Sequence, residues 1–238
     1  AWLGWQHFLN AFFLVLIVRT GLQSRAETQP PALWTSRRNR RRRMSLTVWL
    51  HLALDVLWVV NGVLYVVLLL ATAQWVRIVP TSWEVVPNAI SAGLQYASLD
   101  WPLEHAWVNY NSLQQLSYFV VVFLAAPIAI VTGARMSALW PRHATRLNER
   151  YPFAVAKALH LPVMVFFVAF TVVHVALVLA TGALRNLNAM WASRDADDWV
   201  GFGIFAVALL VIAAGWALVR PAIVDRIAGA FGDVMRRG

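Results

Sequence analysis

Two histidines, His160 and His174, lie fourteen residues apart in one uninterrupted apolar stretch, Ala154 to Gly182. On an α-helix that separation is about 21 Å along the axis and about 40° around it. Both side chains therefore leave one face, one toward each side of a hydrocarbon layer about 30 Å thick. Ionisable groups inside a membrane segment are costly to bury and are usually functional. Imidazole is an axial ligand of haem iron. One helix with a histidine near each membrane face suits two stacked haems, provided other helices supply the opposite ligands.

Candidates for those opposite ligands occur at matching depths. His7 lies near the start of the first apolar run and His51 near the start of the second. Successive spans alternate in direction, and the run with His160 and His174 is the fourth. His160 is then level with His51, and His174 with His7. The order of the spans alone pairs His7 with His174 and His51 with His160. Zinc needs three or four ligands converging on one point, whereas these pairs are about 20 Å apart along the helix axis. The competing reading of each histidine is a polar residue bridging helices.

The 238 residues are 60% hydrophobic and 13% charged, with mean hydropathy +0.61. A soluble domain carries about 25% charged residues, so this composition belongs to a polytopic helical membrane protein. There is no cysteine, which excludes thiolate-held clusters and covalently attached c-type haem. No nucleophile–base constellation is visible, which argues against a hydrolase. The run Arg37, Arg38, Asn39, Arg40, Arg41, Arg42, Arg43 resembles a nucleic-acid patch. In a membrane protein, topology and attraction to anionic lipid account for it, and no nucleic-acid partner is expected.

The pattern predicts five spans, about 2–18, 47–73, 113–133, 154–182 and 199–219, in a single integral membrane domain over 1–238. The first loop has eight arginines against one glutamate, and the third, Ala134 to Lys157, five cations against one glutamate. The second and fourth loops are slightly acidic, and the tail after Val219 is basic. Basic loops stay cytoplasmic, so the N-terminus is expected outside and the C-terminus inside. His51 and His160 form the inner pair, His7 and His174 the outer pair. The tryptophans gather at the predicted span ends as interfacial belts, with Trp34, Trp49 and Trp140 inside. The chain opens at Ala1 in apolar sequence with no basic leader, so an upstream segment is expected and a cleavable signal is not. No internal repeat is apparent.

Other polar residues bear on the same chemistry. Arg19, Arg135 and Lys157 at inner ends and Arg185 at the outer end are candidates for haem propionates, against snorkelling to the interface. Asp55 follows His51 by one turn and is read as a hydrogen-bonding partner or a proton relay to a quinone. Pro162, two residues after His160, is expected to kink the helix near the inner ligand. His143 lies in a basic loop, and His105 in the acidic outer loop. That long loop, Gln74 to Asn109, exceeds a simple connector. Its stretch Ser82 to Leu99 has apolar residues at helical spacing, as in a short interfacial helix.

The chain resembles the bacterial di-haem cytochrome b subunits of the cytochrome b561, nickel–iron hydrogenase and formate dehydrogenase gamma-subunit superfamily, the thiosulfate-reductase-type group above all. The resemblance rests on His7 to Asn10 with Arg19 to Gln23, on Leu50 and His51 with Asn61, Gly62 and Tyr65, on Tyr110, Asn111, Gln114 and Tyr118, and on Leu159 and His160 through His174 to Thr181, Gly182, Asn186 and Asn188. It implies an all-α polytopic transmembrane helical bundle, a four-helix haem-binding core plus a fifth C-terminal span. It also implies two non-covalent b haems, with His7, His51, His160 and His174 as axial ligands. The function it implies is a membrane-anchoring electron-transfer subunit in a bacterial inner membrane, passing electrons between an extracytoplasmic molybdopterin-dependent oxidoreductase and the quinone pool. Formate dehydrogenase gamma subunits have four spans with the N-terminus inside, and the charge pattern here departs from both. The alternatives are a self-contained transmembrane haem reductase with a small external acceptor, and a non-redox membrane transporter with structural histidines.

Overall fold

A computed structural model describes residues 2–101, 109–138, 140–141 and 143–236. His105, with Pro102, Glu104, Trp107 and Arg142, lies outside the described residues. The chain is mostly helical. Helix α1 (Trp2–Ala26) leads into strands β1 (Ala32–Ser36) and β2 (Arg43–Ser45), and α2 (Leu46–Ala71) follows at once. After a 3₁₀ turn, Gln74–Arg77, come α3 (Val85–Ala97), α4 (Ser112–Phe119), a π-helical segment Val120–Ala125 and α5 (Ala126–Met136). The order continues with α6 (Thr145–Arg150), α7 (Phe153–Ala180), α8 (Ala183–Leu187), a π segment Asn188–Ala192, α9 (Val200–Leu218), α10 (Pro221–Phe231) and β3 (Gly232–Arg236).

Five helices are long and apolar enough to cross a membrane: Trp2–Ala26, Leu46–Ala71, Ser112–Met136, Phe153–Ala180 and Val200–Leu218. Local chemistry fixes their ends. Asn111 and Gln114 form a reciprocal capping box at the start of α4, with Gln114 N–H donating to Asn111 Oδ1 (2.8 Å) and Asn111 N–H to Gln114 Oε1 (3.0 Å). Beyond α7, Gly182 turns the chain at φ +128°, a region that favours glycine. The π segment before Pro127 widens the turn where the proline ring would otherwise crowd the carbonyl four residues back. A helix, α3, does form within Ser82 to Leu99. The first helix is longer than expected. It continues through Arg19 because that guanidinium binds the Trp216 and Val219 carbonyls, the latter at 2.9 Å, and lies 4.7 Å over the Trp216 ring.

The chain forms two compact units, Trp2–Val63 with Ala206–Gly238, and Leu64–Phe205. In the first, α1 and α2 are clasped by Asn10, whose Oδ1 accepts from Trp58 Nε1 (3.1 Å) and Asn61 Nδ2 (3.3 Å). Asn61 is buried. Hydrogen bonds between membrane helices are worth about 1 kcal/mol. Asn10→Leu is therefore expected to lower resistance to denaturation in detergent by about 1 kcal/mol for each donor it strands, read by chemical unfolding. No loss would show that water or lipid replaces the acceptor.

The same unit adds strands to a chain that is, as expected, mostly helical. It holds a three-stranded antiparallel sheet of order β2-β1-β3, with Trp34 opposite Met44 on one side and Val234 on the other. Trp34 and Trp49 pack against Ala32, Leu46, Val224 and Ala228. Trp34 Nε1 donates to the Ala228 carbonyl at 3.2 Å. Arg37 completes the layer. Its guanidinium takes the Gly229, Ala230 and Gly232 carbonyls at the end of α10 and pairs with Asp233 at 3.3 Å. A cation at a helix C-terminus is favourable. The remaining arginines of the run, Arg38 and Arg40 to Arg43, are exposed on the β1–β2 hairpin.

In the second unit α5 packs along α7, and α3 joins α4 through Asn111 Nδ2, which donates to the Tyr96 hydroxyl at 3.2 Å. Asn188 is fully buried and ties three segments together. Its amide donates to the Leu184 and Asp198 carbonyls (3.1 and 2.7 Å), and its Oδ1 accepts from Gly201 N–H (3.0 Å). Asp198 accepts from Val200 N–H at 3.0 Å and pairs with Arg194. That backbone N–H, with Arg194 beside it, holds the exposed carboxyl below the usual carboxylate range.

Candidate functional site

His51 lies near the start of α2, and the end of α1 builds its seat. Thr20 is fully buried and its hydroxyl donates back to the Leu16 carbonyl (2.8 Å), shared with Ile17 (3.1 Å). The same oxygen is 2.9 Å from His51 Nδ1. A hydroxyl has one proton. With that proton on a helix carbonyl, as serine and threonine often place it, the oxygen accepts from Nδ1–H. That contact selects the Nδ1–H tautomer, so the lone pair is on Nε2. Nε2 faces Asp55 Oδ2 at 3.6 Å, beyond hydrogen-bond range.

The second unit repeats this seat. Thr132 near the end of α5 is buried, and its hydroxyl donates to the Ile128 carbonyl (2.7 Å), shared with Ala129 (3.0 Å). Its oxygen is 2.8 Å from His160 Nδ1 near the start of α7. The lone pair again falls on Nε2. A glycine follows the threonine in both seats. A Cβ at Gly21 would come within 3.2 Å of His51 Cε1, and one at Gly133 within 3.5 Å of His160 Cε1. The glycines let the helix backbone lie against the edge of the imidazole.

His160 and His174 share one continuous helix, α7, despite Pro162 inside it. Ala156, His160, Met164, Phe167, Thr171 and His174 fall on its less exposed stripe, as the helical period requires. His174 is held by aromatic rings. Phe170 stacks on it at 5.5 Å with an interplanar angle of 8°, and Tyr118 meets it edge-on at 6.1 Å. The rings continue outward, with Tyr118 5.0 Å from Tyr110 and the Arg77 guanidinium 4.3 Å over Tyr110. His7 is half-buried on α1. Its neighbour Gln6 is buried, and Gln6 Oε1 has no hydrogen-bond partner among the described residues.

Three of the four cations expected at propionates have protein partners. Arg19 binds carbonyls at the end of α9, and Arg185 pairs with Asp195 at 3.2 Å. Arg135 donates to the Tyr151 carbonyl at 2.7 Å, while Lys157 is exposed. Among the described residues no three His, Cys, Asp or Glu side chains converge as a metal cluster. The Thr20–Gly21 and Thr132–Gly133 seats were not foreseen from sequence. Their signal was present: a Thr-Gly pair late in one span, followed by a histidine early in the next.

Fold and site define a mostly helical protein with five helices long and apolar enough to cross a membrane and four histidines on three of them. No family model, no curated protein and no solved structure matches the chain.

Proposed function

We propose that this protein is a di-haem b electron-transfer subunit of a respiratory membrane complex. The observation that carries the reading is the repeated threonine seat, which gives His51 and His160 the Nδ1–H tautomer with the lone pair on Nε2. Iron-ligating histidines characteristically donate their other ring N–H to a fixed acceptor, so the donor chemistry fits haem. Bound haem supplies a one-electron couple whose potential the axial ligands and burial set. His51 with His160, and His7 with His174, are the proposed ligand pairs, as the order of spans in the sequence requires. The apolar helices exclude water, and the aromatic rings around His174 fix its plane. A reduced-minus-oxidised spectrum with haem quantitation tests this. Two b haems per chain, fully removed by acid–acetone because no cysteine tethers them, is the expected result. Absence of haem from protein purified from its own membrane refutes it.

The proposed orientation follows the loop charges, with the arginine hairpin and C-terminus cytoplasmic in a bacterial inner membrane. A cysteine replacing Arg40 should resist impermeant reagent in intact cells and react once the membrane is opened. Labelling from outside overturns the orientation. The proposed partners are quinone and an extracytoplasmic oxidoreductase, molybdopterin-dependent by resemblance. The loop from Gln74 to Asn109 is the proposed docking surface, since Arg77 and Tyr110 begin the line of rings that reaches His174.

A further inference from the structure

Thr20 and Thr132 come from different helices, yet each spends its proton on its own helix and turns a lone pair to a histidine Nδ1. A fixed acceptor on Nδ1–H does two things to an imidazole. It locks the plane of the ring, and it draws the N–H bond out, giving Nε2 more of the donor strength of an imidazolate. The seats for both rings are buried and specific. Each hydroxyl also bonds carbonyls three and four residues back, so it is not free to rotate toward another partner. His174 is held by ring stacking as well as by its helix, so the two histidines of α7 are set up by different chemistry.

We propose that Thr20 and Thr132 are positioning residues that hold His51 and His160 as Nδ1–H donors, and thereby lower the reduction potential of the one haem these histidines ligate. The proposal rests on the di-haem reading. A stronger Nε2 donor favours the ferric state, so losing the hydroxyl raises the potential. On the ligand pairs proposed from the order of spans, the two threonines act through one haem, so their effects add on one redox centre and leave the other untouched.

Thr20→Val and Thr132→Val keep the shape and remove the hydroxyl. Potentiometric titration of the holoprotein should show one of the two haems shifted upward in each variant, the same haem in both, with a larger shift in the double variant. The ferric electron-resonance signal of that haem alone should move. Thr→Ser at either position keeps the hydroxyl and should restore both readouts. Unshifted potentials in both valine variants overturn the proposal, as does a shift of a different haem in each. If a valine variant loses haem or fails to accumulate, serine decides: a serine variant that behaves like valine makes packing the cause and overturns it. Nitrogen-15 spectra of histidine-labelled protein stripped of haem provide a readout independent of the di-haem reading. His51 and His160 should show Nδ1–H in wild type and lose that preference in the valine variants. A wild-type Nε2–H tautomer overturns the threonine assignment even where haem is present, whereas Nδ1–H with no haem in native protein overturns only the di-haem reading.

Discussion

On the proposed di-haem reading, His160→Ala lowers the haem content from two per chain to one. His51→Ala should remove the same haem, and the double variant His51→Ala, His160→Ala should still retain one. His51→Ala combined with His174→Ala should retain none. The logic is that of a shared ligand pair, in which the second loss costs nothing once the first has emptied the site. Each seat makes the loss specific, since Thr20 or Thr132 keeps its carbonyl bonds when the ring is gone. Haem quantitation and the number of components in a redox titration read the outcome. A residual single haem in the His51→Ala, His174→Ala variant, or none in the His51→Ala, His160→Ala variant, would mean that the pairing by span order is wrong.

The spans were legible because twenty or so apolar residues leave few alternatives in a membrane, and the ends moved by one to three residues in all but the first helix. The first helix was cut short at Arg19 because a cation there reads as the membrane boundary. Tertiary structure overrides that reading, since the guanidinium satisfies carbonyls at the end of α9. The sheet was not legible. β1 and β2 flank six residues of which five are arginine, and the other partner of β1, β3, is about 200 residues away in sequence. Local propensity carries no sign of such a pairing. Asn10, Asn61 and Asn188 were noticed as parts of a motif, and the structure gives them work as clasps between segments. The threonines escaped because threonine in a membrane helix is common. Only the antiparallel order of spans one and two, and of three and four, brings a Thr-Gly pair beside a histidine.

Gly201 and Gly203 sit two residues apart at the start of α9, and the same substitution at each should have opposite outcomes. A Cβ on Gly201 would lie 2.3 Å from Asn188 N and 2.5 Å from Asn188 Cα and Leu187 C. These are backbone atoms of a helical turn and cannot swing aside. A Cβ on Gly203 meets nothing within 4 Å. Overpacking typically costs about 1–3 kcal/mol, and here it also separates Gly201 N–H from the Asn188 oxygen that accepts it. A buried donor left unmet costs about 1–3 kcal/mol more. Gly201→Ala is therefore expected to lower Tm in detergent by about 5–10 °C and to reduce accumulation in the membrane. Gly203→Ala should leave Tm unchanged or raise it slightly, because alanine is the better helix former by up to about 1 kcal/mol. Asn188→Leu, which keeps the volume and removes all three hydrogen bonds, should reproduce the Gly201→Ala loss. The Gly201→Ala, Asn188→Leu double variant should fall well short of the sum, since both break one contact. Full additivity would show that the α8 end and the start of α9 are stabilised independently and that the Asn188 clasp does not join them.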